Sequence, residues 1–161
     1  MNVIKYQKSL KLILFLSIFA LVSAYFIQYV LGHQPCNLCL FERVPYLSSI
    51  IIILSCFYFK KFEKISLILL SLIFFFATIL SFYHFGIEQS FIKESLVCNL
   101  SVGDNFINPE ELLKSLKEKP ISCKDVTFRI FGLSLATINI FISLIVSVIT
   151  LKLFLDYEKN K

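Results

Sequence analysis

Residues 12–31 read LILFLSIFALVSAYFIQYVL, twenty positions without a charged side chain. A helix rises about 1.5 Å per residue, so a run of this length matches the ~30 Å hydrocarbon thickness of a bilayer. A helix resting on a soluble core would alternate apolar and polar faces at a 3.6-residue period. This run is apolar all round, which points to lipid contact.

Three more apolar blocks follow at about residues 41–59, 65–87 and 130–151, the first of them free of charge from Val44 on. The third carries a single histidine, His84, near its end, and the fourth carries no charge. The chain is 57% hydrophobic and 17% charged, against roughly half and a quarter for soluble domains. With only 4 Gly and 4 Pro it is not a low-complexity chain. Its net charge of +5 comes without a Lys/Arg cluster interleaved with aromatics, so nucleic-acid binding is not expected. The expected fold is an all-α membrane protein, one four-transmembrane-helix bundle over residues 1–161. Lys5, Lys8 and Lys11 before the first run resemble the start of a signal peptide, with Val22-Ser23-Ala24 as a cleavage site. The apolar run continues to Leu31, which favours an uncleaved helix.

Lysines set the expected orientation. Lys5, Lys8 and Lys11, then Lys60, Lys61 and Lys64, then Lys152, Lys159 and Lys161 fall on one side of a four-span chain. Positive-inside logic places that side, with both termini, in the cytoplasm. The outer side then holds residues 32–40 and 88–129. Within the longer loop, Asn108-Pro109-Glu110-Glu111 reads as a capped helix start and Pro120 as its stop. Leu112, Leu113 and Leu116 would form the apolar stripe of a short helix lying parallel to the membrane.

Four of the five cysteines fall outside: Cys36, Cys39, Cys98 and Cys123. Disulfides persist in an oxidising compartment such as a bacterial periplasm. Four thiols permit three pairings, of which Cys36 with Cys39 and Cys98 with Cys123 is the natural one. Cys56 reads as a buried apolar residue. Cys36 and Cys39 open the second span. The i,i+3 spacing brings two thiols within reach of a disulfide, and the free N–H groups of a helix start stabilise a thiolate. Arg43 stands one turn past Cys39, where a guanidinium adds positive charge near the sulfur and can donate to a carbonyl ligand. Glu42 beside it receives no role. Cys98 and Cys123, if joined, close a loop worth roughly 3–4 kcal/mol in the chain-entropy view. His84 sits near the outer end of the third span, at the depth of Arg43.

Gln34-Pro35-Cys36-Asn37-Leu38-Cys39-Leu40-Phe41-Glu42-Arg43 resembles the P-C-x-x-C-x-x-x-R pattern of the DsbB family of membrane disulfide oxidoreductases. The four spans, the second outer pair and Gly132-Leu133-Ser134 at the fourth span agree with it. Tyr83-His84-Phe85-Gly86-Ile87-Glu88 resembles a DsbI-like branch serving more dedicated partners. The resemblance implies a protein of the bacterial inner membrane that reoxidises a periplasmic DsbA-like thioredoxin-fold partner. The partner's thiolate would attack Cys98–Cys123, Cys123 would attack Cys36–Cys39, and Cys39 would face a bound quinone, ubiquinone or menaquinone. Arg43 and His84 would belong to the quinone site, and no metal is implied. DsbA is itself a strong oxidant, so its reoxidation needs an acceptor of higher potential. Two other readings compete on the residues alone: a four-thiolate zinc site and a scaffold with two inert disulfides.

Overall fold

The computed structural model describes residues 3–58, 63–94, 98, 122–124, 128–130 and 132–159. Its elements are α1 (Val3–Tyr29), α2 (Asn37–Phe41), α3 (Val44–Tyr58), α4 (Glu63–Glu88), β1 (Arg129–Ile130), β2 (Leu133–Ser134) and α5 (Leu135–Lys159). Four stretches are long and apolar enough to cross a membrane: Gln7–Tyr29, Asn37–Tyr58, Lys64–Glu88 and Leu135–Lys159. The expected membrane-parallel helix near residues 108–120 lies outside the described residues.

The second span is broken at Glu42 and Arg43, between α2 and α3. Pro45 explains the break. It has no N–H to give to Phe41, and it disfavours helical geometry at the residue before it, yet it is tolerated in the first turn of a new helix. Arg43 N–H instead bonds the Leu40 carbonyl at 3.1 Å, which tightens the turn.

The fourth span starts later than the apolar run suggests. Arg129 pairs with Ser134 and Ile130 with Leu133 in a two-stranded hairpin. Gly132 makes its turn at φ +82°, a conformation that side chains disfavour. Ser134 then caps α5, its Oγ accepting from the Thr137 N–H at 3.2 Å.

α4 and α5 form the most extensive contact, with α1 on α3 and α3 on α4. Small residues let the first pair approach closely. Ser147 Oγ donates to the Ser71 carbonyl at 3.2 Å, and Ser71 Oγ to the Ser147 carbonyl at 3.5 Å. Ser17 and Ser49 join α1 to α3 at 2.8 Å. Around these bonds lies an apolar core of Leu10, Ile53, Leu67, Leu70, Phe74 and Val146. Phe15, Phe19, Phe76, Phe82 and Phe141 point outward and are exposed, as a lipid-facing surface requires.

Candidate redox site

Cys36 is the N-cap of α2, with extended backbone and a sulfur that accepts the Cys39 N–H at 3.3 Å. Its Sγ lies 2.7 Å from Cys39 Sγ. The hydrogen bond from Cys39, aided by His84 and opposed by burial, draws the Cys36 thiol down to about 5 from its ordinary value. A thiol so placed is a nucleophile and a good leaving group.

The two sulfurs look in different directions. Cys36 faces a buried polar chain. Its Sγ is 3.5 Å from His84 Nε2, and His84 Nδ1 is 3.0 Å from Glu42 Oε1. Asn139 Nδ2 donates to Glu42 Oε2 at 3.2 Å and to Ser81 Oγ at 2.7 Å. The Tyr46 hydroxyl donates to Asn139 Oδ1. Glu88 closes the other side of the histidine, its Oε1 3.8 Å from Nε2. Polar groups survive in an apolar interior when each finds a partner, and here α2, α3, α4 and α5 each supply one or adjoin one.

Cys39 faces a cavity of about 280 Å³ between α1, the second span, the hairpin and α5. Gln34, Glu42 and Arg43 supply its polar end, and Phe19, Ile138 and Ile142 are among its apolar walls. Arg43 is held by Gln28, to which its Nη1 donates at 2.7 Å, and lies 5.0 Å over the Tyr25 ring. His84 is not among the cavity's lining residues. The sequence places it with Arg43 at a ligand; in the structure its Nε2 stands 3.5 Å from Cys36 Sγ.

Cys98 and Cys123 are joined, with Cα atoms 5.7 Å apart. Both are buried and pack in one cluster with Cys36, Leu38 and Ile87, with Cys39 against it. Glu94 ties the two ends of the loop together, accepting from the Lys124 N–H at 3.2 Å and from Ser122 Oγ. The chain can turn back here because Gly86 leaves room: a Cβ at Gly86 would lie 2.7 Å from Ile92 Cδ1. Phe91 N–H reaches the Gly86 carbonyl and Ser90, at φ +63°, closes α4.

A disulfide, Cys98–Cys123, in contact with a second pair of cysteines, Cys36 and Cys39, at the end of a four-span bundle is the decisive arrangement. The model of the family described as "Disulfide bond formation protein DsbB" matches residues 7–153. The chain belongs to the DsbB family. It is also 31% identical over 156 residues to uncharacterized protein RP370 of Rickettsia prowazekii (strain Madrid E), covering 95% of this chain and 90% of that one. As a DsbB-family member with four spans, it is a multi-pass membrane protein of disulfide chemistry.

Three residues of this polar chain escape a sequence reading: Glu42, Glu88 and Asn139. Each is a polar residue beside or inside an apolar run. That is the one signal available, since a buried polar group within a span is costly and calls for a partner.

Proposed function

We propose that this protein is a quinone-dependent thiol oxidase of the bacterial inner membrane. It would reoxidise a periplasmic DsbA-like thioredoxin-fold protein, with both termini cytoplasmic and all four working cysteines periplasmic. The observation that carries the reading is the opposed facing of the second span's two sulfurs. Cys36 lies against the Cys98–Cys123 pair, while Cys39 opens onto an apolar cavity with Arg43 at its polar end.

The chain's own residues then have these roles. Cys98–Cys123 receives the partner's thiolate: one S–S bond breaks, a mixed disulfide forms, and one thiolate of the pair is released. That thiolate attacks Cys36, freeing Cys39 as a thiolate toward the cavity. His84 and Glu42 orient Cys36 and accept its proton when the pair is reduced. Arg43 holds negative charge at the cavity's polar end, and its bond to Gln28 keeps the guanidinium in place.

The cavity fits an amphipathic planar ring: apolar walls, a guanidinium and a thiol all line it. A bound quinone would supply the sink for two electrons and two protons. The four-thiolate zinc reading has less support, since Cys98 and Cys123 are bonded to each other. The test is oxidation of a reduced DsbA-like protein by the purified chain in detergent. Turnover that depends on added ubiquinone or menaquinone supports the reading; equal turnover without either quinone, after lipid extraction, overturns it.

A further inference from the structure

Beyond the oxidase reading stands an unexplained group. Glu88 has a side chain only 6% exposed, and its Oε2 finds no hydrogen-bond partner among the described residues. A buried carboxylate oxygen without a donor costs free energy and calls for an explanation, such as an ion. The Ser134 hydroxyl and the His84 imidazole stand beside its carboxylate, with Cys36 and Cys39 beyond the imidazole. Cys36 Sγ, Cys39 Sγ and one ring nitrogen of His84 all lie within 4.8 Å of one another. Glu88 Oε1 approaches the same Nε2 that faces Cys36, at 3.8 Å.

We propose that the reduced Cys36–Cys39 pair, with His84 Nε2 and the Glu88 carboxylate, binds a thiophilic divalent cation of the zinc type, and that the disulfide form does not.

The donor set suits such an ion. Two thiolates and an imidazole supply three corners of a tetrahedron, with ligand atoms about 3.3–3.8 Å apart for metal–ligand bonds of 2.0–2.3 Å; the Glu88 carboxylate lies outside the 4.8 Å cluster of those three and would swing in to supply the fourth. Cys36 Sγ and His84 Nε2 already stand at 3.5 Å. The two sulfurs, at 2.7 Å, would separate by about 1 Å to reach that spacing. Cys39 is only partly buried and borders the cavity, so its side chain has room to move. The support behind the ligands is also of the kind metal sites use. A ligating histidine gives its other N–H to a carboxylate, which fixes the tautomer. Here Nδ1 is 3.0 Å from Glu42, and Glu42 is itself held by Asn139.

The chemistry balances without a redox step. Two thiols lose their protons, two metal–sulfur bonds form, and two protons leave to solvent. When the sulfurs are joined to each other, both thiolate donors are gone and only the imidazole and the carboxylate remain. The site is thus open only while the pair is reduced. A bound cation then blocks reoxidation until it is removed.

Full-length protein carrying Cys98→Ser and Cys123→Ser leaves Cys36 and Cys39 as the reactive pair. Reduced and oxidised samples are titrated with cobalt(II), read by the visible absorption of tetrahedral thiolate coordination, and zinc is added in competition. The expected result is one cobalt per chain in the reduced sample, none in the oxidised one, and displacement by zinc. Glu88→Gln keeps shape and removes the anionic ligand, and His84→Ala removes the nitrogen. Each should weaken binding by about tenfold or more. Helical circular dichroism confirms that both variants fold. No binding by reduced protein overturns the proposal. So does binding at unchanged affinity in both variants, which would mean a dithiol chelating alone. The oxidase assay is run in metal-free buffer, so either reading can fail without the other.

Discussion

The lysine-bearing part of this bundle, here called inner, and the cysteine-bearing part, here called outer, are built from the same four spans on opposite principles. The inner part packs Leu10, Ile53, Leu67, Leu70, Phe74 and Val146, and its polar contacts are hydroxyl to hydroxyl or to backbone. The outer part packs four cysteines around Leu38 and Ile87, with a histidine, two glutamates and an asparagine in contact nearby. One region spends its interior on shape, the other on chemistry. In lipid this division has a reason. Apolar side chains gain little from helix association where the solvent is equally apolar, so small residues and close fit hold the inner region. Ionisable groups are costly at such depth, so they gather where the loops meet the bundle and each can find a partner.

The largest effects should follow from breaking the outer region. Cys36→Ser, Cys39→Ser, Cys98→Ser and Cys123→Ser should each reduce oxidation of a DsbA-like dithiol to background in purified protein. Full turnover in Cys98→Ser would sink the two-pair relay. Glu42→Ala should come next. It strands His84 Nδ1 and one bond of Asn139, at about 2 kcal/mol by the usual cost of leaving buried polar groups without their partner. Thermal unfolding in detergent checks this, and Glu42→Gln should recover part of the loss by keeping the Asn139 contact. Arg43→Ala is expected to be milder and more selective. It removes the one cation of the cavity and its bond to Gln28, so the KM for quinone should rise about tenfold while the fold holds. An unchanged KM would take Arg43 out of the acceptor site.

The contrast also shows which parts a sequence displays. The spans are legible because a charge-free run of twenty residues has few other uses. Their ends are less so. The apolar residues from Ile130 on read as the start of the fourth span, yet Arg129–Ile130 and Leu133–Ser134 pair as a hairpin. Over five residues an apolar run cannot tell a strand from a helix, and Gly132 was the only signal of the turn. The cysteines announce their chemistry by spacing. Glu42 and Asn139 do not, because they are 97 residues apart and meet only when α5 packs beside the second span. Glu42 reads as a solvent-facing neighbour of Arg43 until its burial is known. His84 is legible as a polar residue at the depth of the cysteine pair but not in its contacts, since depth along a helix says nothing of which sulfur it faces.

The inner region should yield smaller changes. Phe74 is fully buried and meets the Tyr46 ring at 5.6 Å. In water a Phe→Ala change at such a place costs about 3–5 kcal/mol, from transfer and cavity together. In lipid the transfer part falls away, and about 1–2 kcal/mol of lost packing remains for Phe74→Ala. Oxidase activity per folded molecule should stay near that of the unaltered protein. A large loss of activity at intact stability would show that the two regions are coupled through Tyr46, which touches Phe74 on one side and Asn139 on the other.

The smallest effect is expected at the lysine-bearing end. Lys64 Nζ lies 2.6 Å from Glu158 Oε2, with side chains 42% and 54% exposed. Such a pair looks strong by distance, but exposed ion pairs contribute roughly 0–1 kcal/mol once screening and side-chain entropy are counted. Lys64→Ala should therefore shift the unfolding midpoint in detergent barely beyond error, and raising salt should erase even that. A shift as large as that of Glu42→Ala would mean that this end, too, is held by charge, and the division between the two regions would not stand.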